Sequence, residues 1–502
     1  MSKRLGHFHG PPFLNHQKSV VAPYPAQVTP NIIPARIEGF TFRLASHRQG
    51  SHPPGMEQSL ERTSEKAGHL GLKRALIGMA VLVLLVVLGV AGWLAWNSRD
   101  IPAPDLSDVT LQRRQLPPEQ DAYTHFERAA AALVWPEDDK FMRSNPASQP
   151  EDEARIVDLV AANAEALRHL QAGLACEACL GPQDWRPEAT WPGEKLRKLG
   201  KMLDLRVRCQ LRAGSRTQAI AACADVRRYG NLLAQDASYS LTWVLGASNL
   251  AGSGSSARLI ANDPGTAEPE LVELLRVMNG ATPVERGLER ALKSEFMMAD
   301  DVITRVESGK MAMPQSGEKS IKPNWLPLPT SYLFQPNRCR LAAAEVVRAQ
   351  IRAIPQCAAE PLSNLNATGL TGEESIFELL SKPNMIGRIL LEVVASPSVA
   401  QMKARTEERL SGARLVVALR LFEKRTGKLP ATLAELVPAY LTAVPRDPYD
   451  GKPFRYVPGK RLVYAVGMDL KDSGGAKTPR KAGERSKPDP DEVFELDAAA
   501  VE

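Results

Sequence analysis

The sequence predicts a mostly α-helical protein with an N-terminal transmembrane helix, an all-α extracytoplasmic domain and a small α+β module at the C-terminal end. Three observations carry this. From Ala75 to Trp96 the chain runs 22 residues without a charge. From 117 to 426 apolar residues recur at spacings of three and four, the period of a helix with one buried face. Beyond Gly427, turn residues separate short β-rich runs instead.

At about 1.5 Å per residue, the apolar run is long enough to cross a hydrocarbon core of roughly 30 Å. Lys73 and Arg74 precede it, and Trp93 and Trp96 stand at its far end, where indoles favour the membrane interface. A cleaved signal peptide is the competing reading, but the run is long for one and small-residue cleavage sites after it are poor. Residues 60–74 hold four Lys/Arg, whereas the three in 97–115 are balanced by three Asp. This bias places the N-terminus in the cytoplasm of a bacterial inner membrane and residues 97–502 outside.

Ahead of the anchor, residues 1–74 form a basic tail with ten Lys/Arg against four Asp/Glu. Its Pro, His, Gly and Ser content predicts disorder. His7, His9, His16, His47, His52 and His69 are irregularly spaced, without Cys or carboxylate partners, which reads as solvated tail more than metal site. Met56 is an alternative start that leaves a short basic segment before the anchor. Residues 97–502 carry 53 charges of each sign, so the basic pI belongs to the tail and gives no nucleic-acid footprint.

After an extended stem at 97–116, the helical domain occupies 117–397. Predicted helices are Gln120–Leu133, Glu151–Leu174, Glu194–Leu211, Thr217–Ala234, Leu241–Ile260, Glu268–Met278, Val284–Glu307, Arg338–Ile354 and Met385–Val394. In the second, Ile156, Leu159, Val160, Ala164, Leu167 and Leu170 share a face. The third and fourth form a hairpin about Ala213-Gly214, which keeps a helical-repeat scaffold among the readings. Gly252-Ser253-Gly254-Ser255-Ser256 reads as a flexible spot or helix break. The proline-rich stretch 309–337, with Trp325, Tyr332 and Phe334, reads as a packed loop.

All six cysteines follow the anchor, as suits an oxidising compartment. Cys176 and Cys179 are candidates for a local disulfide. Cys209 and Cys223 face each other across the hairpin with an axial offset of about 6 Å, so a bridge competes with buried thiols. Lys471-Asp472-Ser473-Gly474-Gly475 imitates a serine-protease nucleophile segment, but that chemistry needs a histidine base. Only His125 and His169 follow the anchor, both in helical patterns, with Glu165 placed to pair with His169. Glu285, Glu289, Glu295, Asp300 and Asp301 alternate with Arg286, Arg290 and Lys293 as on a solvated helix face. Met297, Met298, Met311 and Met313 suit core filling better than an adaptable binding surface.

The last module, 398–496, begins with a helix over Val399–Thr426 that Gly427 ends. Pro430 starts a short helix with Leu433, Leu436 and Val437 inward. Asp447-Pro448-Tyr449-Asp450-Gly451 is a turn. Phe454–Val457 and Arg461–Val466 pair as strands about Pro458-Gly459-Lys460. An acidic loop opens at Asp469. Gly427-Lys428-Leu429-Pro430, Val444-Pro445-Arg446-Asp447-Pro448-Tyr449 and Tyr464-Ala465-Val466-Gly467-Met468-Asp469, in this order, resemble the C-terminal half of type II secretion major pseudopilins. The resemblance covers about residues 400–496. It implies a structural and assembly role with envelope or secretion-system partners, and calcium in the acidic loop, held by Asp469, Asp472 and Asp491. The Ala476–Lys487 insert departs from the family pattern and brings five Lys/Arg. The family's processed leader, which leads directly into the membrane helix, is not matched either. The competing classes are a membrane-anchored enzyme, with its site between the helical domain and this module, and the repeat scaffold.

Overall fold

The computed structural model describes residues 57–138, 142, 150–185, 193–282, 284–311, 329–358, 383, 384, 387, 398–476 and 491–497. Most of them are helical. The chain divides into two units between Leu84 and Leu85. Helix α1 (Glu57–Asn97) carries the apolar run. Its segment Lys73–Asn97 has a mean hydropathy of 2.8, and its most apolar stretch is not buried among the described residues. It is long and apolar enough to span a membrane.

Within the second unit, the last turn of α1 is fastened to the body. Leu94 packs on Ile303, Val306, Tyr332, Leu333 and Phe334, and the Trp93 and Tyr332 rings lie 5.7 Å apart. Asp100 then accepts hydrogen bonds from the backbone N–H of Asn337 and Arg338 at 2.8 and 3.1 Å. A carboxylate there satisfies orphan donors and complements the helix dipole at the start of α11 (Pro336–Ala353). The expected stem is extended but not free. Val109 is fully buried, Arg348 pairs with Asp108 at 2.6 Å, and Arg114 pairs with Asp236 at 2.7 Å.

The body begins with α2 (Ala122–Ala132), α3 (Pro150–Ala162) and α4 (Ala164–Leu174). The single helix expected over Glu151–Leu174 is broken at Asn163. This buried side chain accepts from Val134 N–H at 2.8 Å and donates to Val134 O and Leu159 O, both at 2.9 Å. The buried face nevertheless keeps its spacing of three and four through the break, at Ile156, Leu159, Asn163, Ala166 and Leu170, while Ala164, expected on that face, is exposed. Helices α5 (Gly193–Arg212) and α6 (Arg216–Gln235) form the expected hairpin. Gly214 makes the turn at φ +71°, a conformation that costs glycine little.

Helix α7 (Ser240–Asn262) runs straight through the stretch read as a break. It is covered on several sides, by α6, α5, α9 (Val284–Glu307) and α12 (Ser398–Thr426). Small residues permit this. A Cβ on Gly246 would lie 2.6 Å from Ala234 N and 2.8 Å from Gly230 O of α6, and one on Gly254 would lie 3.0 Å from Arg409 O of α12. The hydroxyls are satisfied: Ser253 donates to Leu250 O at 2.6 Å and Ser256 to Asp204 at 3.0 Å. Glycine here serves close helix approach, not flexibility.

Helix α8 (Glu268–Asn279) packs on α12. The loop reading of 309–337 holds where residues are described: Tyr332 and Phe334 are buried around the short α10 (Thr330–Leu333). Trp325, Met313 and all of Met385–Val394 except Gly387 lie outside the described residues, as do 1–56. Helix α12 ends at Gly427, φ +73°. The following turn of 3-10 helix spans Leu433–Leu436 and starts at Thr432, not Pro430. The Glu435 carboxylate accepts from Thr432 N–H at 2.9 Å, a capping interaction that Pro430 cannot supply.

Strands β1 (Arg455–Val457), β2 (Leu462–Ala465) and β3 (Glu492–Glu495) form one antiparallel sheet in that order. Tyr456 and Phe494 both face Val463 in register. The third strand went unread in the sequence. Phe494 presses on Gly412 of α12, and the Arg258 guanidinium of α7 lies 5.1 Å from its ring centre. Leu410, Val416, Leu436, Val463 and Phe494 share one core with Leu250, Ala257 and Ile260, so the core continues across the boundary placed at 398.

This packing predicts opposite outcomes for two glycines of one helix. Gly252 has open space around its missing Cβ, so Gly252→Ala is expected to stabilise by roughly 0.5–1 kcal/mol through helix propensity. Gly246→Ala is expected to destabilise by about 1–3 kcal/mol through overpacking. Thermal unfolding of the full-length protein in detergent checks both signs.

Candidate functional site

The acidic loop and the turn before the sheet meet at one cation, Arg455 on β1. Its guanidinium is largely buried and reaches Asp447 at 2.6 Å, Asp450 at closer range and Asp472 at 3.5 Å. Asp447, with no solvent exposure, also accepts from Val466 N–H at 2.8 Å and Tyr449 N–H at 2.9 Å. Burial raises its pKa, against those donors and against Arg455. For Asp450 burial again acts to raise the pKa and is the largest single effect, but the Arg455 hydrogen bond, the Lys452 N–H and the charges of both residues together outweigh it and the pKa is lowered. One arginine thus ties the Asp447–Gly451 turn, β1 and the 469–476 loop together.

The three residues expected to hold calcium occupy different settings. Asp469 is exposed and accepts from Lys471 N–H at 3.0 Å. Asp472 accepts from Gly474 N–H and Tyr464 O–H, both at 3.0 Å, and the Gly474 donor leads in holding its pKa low. Asp491 is fully buried and accepts from Gly475 N–H at 2.8 Å and Ser473 N–H at 3.1 Å. These donors are the backbone of a tight loop with positive φ at Gly474 and Gly475. Calcium needs six to eight oxygens directed at one point. Here Asp472 and Asp491 are turned toward N–H and O–H donors, and a guanidinium lies beside Asp472. Among the described residues no three His, Cys, Asp or Glu side chains converge on a metal position. Among the described residues the three carboxylates therefore do not converge on one point.

Behind the sheet, Glu408 of α12 is 2% exposed and its Oε1 has no hydrogen-bond partner. Burial, then the nearby Glu492 and Asp447, push its pKa up to about 9 against Arg409 and Arg405. Burial likewise raises the Tyr449 phenol, with Glu408 adding to it. This is the titratable cluster between helical body and sheet that an enzyme reading asks for. A cleft of about 720 Å³ lies elsewhere. It is lined by Arg113, Asp184 and Trp185 opposite Met297, Asp300 and Thr304 of α9. Its two α9 acids are engaged: Asp300 pairs with Arg340 and Asp301 with Arg305, both at 2.7 Å; at Asp184 the main-chain carbonyl accepts from Tyr239.

The remaining candidates are dispersed. Cys176, Cys179, Cys209 and Cys223 are all free thiols. Cys176 turns its sulfur to Glu119 O and Ala172 O, and Cys223 turns to Ser253 O. Burial raises the pKa of all four, which favours inert thiols over reactive thiolates. His169 lies 3.9 Å from Glu165 as expected. On α9, Glu289 pairs with Lys293 at 2.8 Å. Glu295 departs from the solvated-face reading: burial raises its pKa while Ser240, at the start of α7, donates to it.

Sequence reasoning missed Arg455 and Glu408. Arg455 had a signal, being a charge between Phe454 and Tyr456 in a strand just after two aspartates. Glu408 had none, because Arg405-Thr406-Glu407-Glu408-Arg409 looks like any solvated helix face.

Arg455→Met leaves Asp447 buried without its cation, and is expected to cost about 3–5 kcal/mol, read by denaturant unfolding. Glu408 has a folded pKa near 9 against a usual 4.5. Between these values the folded state holds the proton that the unfolded state releases, so stability falls as pH rises through that window. Glu408→Gln should raise stability at neutral pH and flatten the slope between pH 5 and pH 9, measured as melting temperature against pH. No protein-family model, no curated protein and no solved structure matches the chain.

Proposed function

We propose that the protein is a membrane-anchored extracytoplasmic structural and interaction component of a bacterial envelope, held in the inner membrane with its N-terminus in the cytoplasm. The observation that carries this reading is the Lys73–Asn97 helix, apolar and uncovered, whose last turn is locked onto the folded body by Leu94 and Asp100. So large an exposed apolar surface needs a bilayer or a partner.

The C-terminal sheet and its 469–476 loop serve in this reading as the assembly surface, in keeping with the resemblance to type II pseudopilins. Arg455 keeps that loop in shape. The enzyme alternative has less support, because the buried acids around Glu408 and the cleft beside Trp185 are in different places and Asp300 and Asp301 of that cleft are engaged in ion pairs.

Two measurements test the reading. In spheroplasts, an N-terminal tag should resist added protease and a C-terminal tag should be cut. The reverse pattern rejects the orientation. Pull-down of the full-length protein from mild-detergent membranes, read by mass spectrometry, should recover envelope or secretion components. Recovery of the protein alone rejects the interaction role. Repeating the pull-down with a chelator treats calcium separately: partners lost on chelation support calcium in the loop, whereas unchanged recovery leaves Arg455 as its cation.

A further inference from the structure

The junction between α1 and the body places folded residues at a defined depth. Trp93 stands four residues before the end of α1, about 6 Å along the axis. Its contact with Tyr332 therefore brings α10 and the end of α9 to the level of the last turn of the apolar span. If α1 crosses a membrane, this level is the headgroup layer, where tryptophan and the guanidinium group are both favoured. The Arg99 guanidinium already lies 5.4 Å from the Trp96 ring centre.

The charges at this level are unequal in one respect. The acids are engaged. Asp100 accepts from the N–H groups of Ile101, Asn337 and Arg338, and Glu307 is held by Arg340 at 2.9 Å. The cations Arg99, Arg338 and Lys310 make no ion pair among the described residues. Arg338 is half-buried, and its Nε is enclosed without a hydrogen-bond partner. It belongs to the first turn of α11, whose N–H groups Asp100 binds, which puts it beside the residue that follows Arg99. Lys310 is exposed next to Met311, which packs on the same apolar cluster as Leu94.

We propose that Arg99 and Arg338, with Lys310 beside them, form a seat for phospholipid headgroup phosphates on the membrane-facing side of the body. A guanidinium donates in a planar fork that matches phosphate oxygens. Each cation close to an anionic leaflet adds attraction. The body then rests on the bilayer surface, and the lipid supplies an anionic partner that neither arginine has among the described residues. This inference rests on the reading of α1 as a membrane anchor.

The test uses the full-length protein in nanodiscs of phosphatidylcholine with and without phosphatidylglycerol. Nitroxides carried by an unnatural amino acid at Ser331 and at Val86 report depth by oxygen and nickel-complex accessibility. Val86 should read hydrocarbon depth and Ser331 headgroup depth. Native mass spectrometry should show phosphatidylglycerol retained, with retention weakened about fivefold for each of Arg99→Gln and Arg338→Gln and only partly restored by Arg→Lys, which keeps the charge without the planar fork. Inorganic phosphate in the buffer should leave retention unchanged. Val86 deep with Ser331 in bulk water overturns the seat and leaves the anchor standing. Val86 in water overturns both. Retention indifferent to either arginine, or abolished by inorganic phosphate, also overturns the lipid seat.

Discussion

The close approach of α7 to its neighbours is the constraint on which the rest of the body depends. Gly246 meets the backbone of α6, and Gly254 meets the backbone of α12. Helices packed at backbone contact gain dispersion along their length but accept almost no added volume. Two distant stretches of chain, 216–235 and 398–426, are thereby brought against one element. The sheet follows from this arrangement. Phe494 reaches over Gly412 to the Arg258 guanidinium of α7, and Asn262 at the end of α7 donates to Glu495 O at 3.2 Å. The C-terminal strands are therefore an outer layer of the helical core.

Electrostatics act on this frame at two places. At the sheet, Arg455 collects carboxylates from the turn before it and the loop after it. Removing two charges from water costs several kcal/mol, and such a pair holds when hydrogen bonds satisfy the remaining lone pairs. Asp447 meets that condition through Val466 and Tyr449. Glu408, close by, does not, and stays protonated instead. At the end of α1, Asp100 fills the start of α11 and so joins that helix to the body through charge-assisted hydrogen bonds. Both devices fix a loop or a junction in place.

Much of the architecture was legible in the chain. Helix periodicity placed α5, α6, α8, α9 and α12 to within a few residues, because an amphipathic face with caps carries its own address. The α5–α6 turn at Gly214 and the end of α12 at Gly427 were readable because only glycine enters that conformation freely. The failures share a cause. At Asn163, in the Gly252–Ser256 stretch and at β3, the deciding partner is remote in sequence: Val134, Arg409 and Val463. A glycine-serine run and an isolated Val-Phe-Glu-Leu have no local signature of what will cover them. The candidate site divides likewise. Asp447, Asp472 and Asp491 could be picked out as acids, but whether they face a cation, a guanidinium or backbone N–H groups depends on where β1 and the loop come together.

By itself the sequence determined the membrane-spanning length of α1, the helical class of the body, the neutral charge of residues 97–502 and the positions of most turns. These follow from composition, period and backbone freedom, which are local properties. Only the tertiary structure decided that the stem lies along the body, that α7 passes unbroken through its glycines, that Arg455 is the hub of the acidic loop and that Glu408 is buried without a partner. Each of these turns on close packing or on the desolvation of a charge, and both are set by groups far away in the chain.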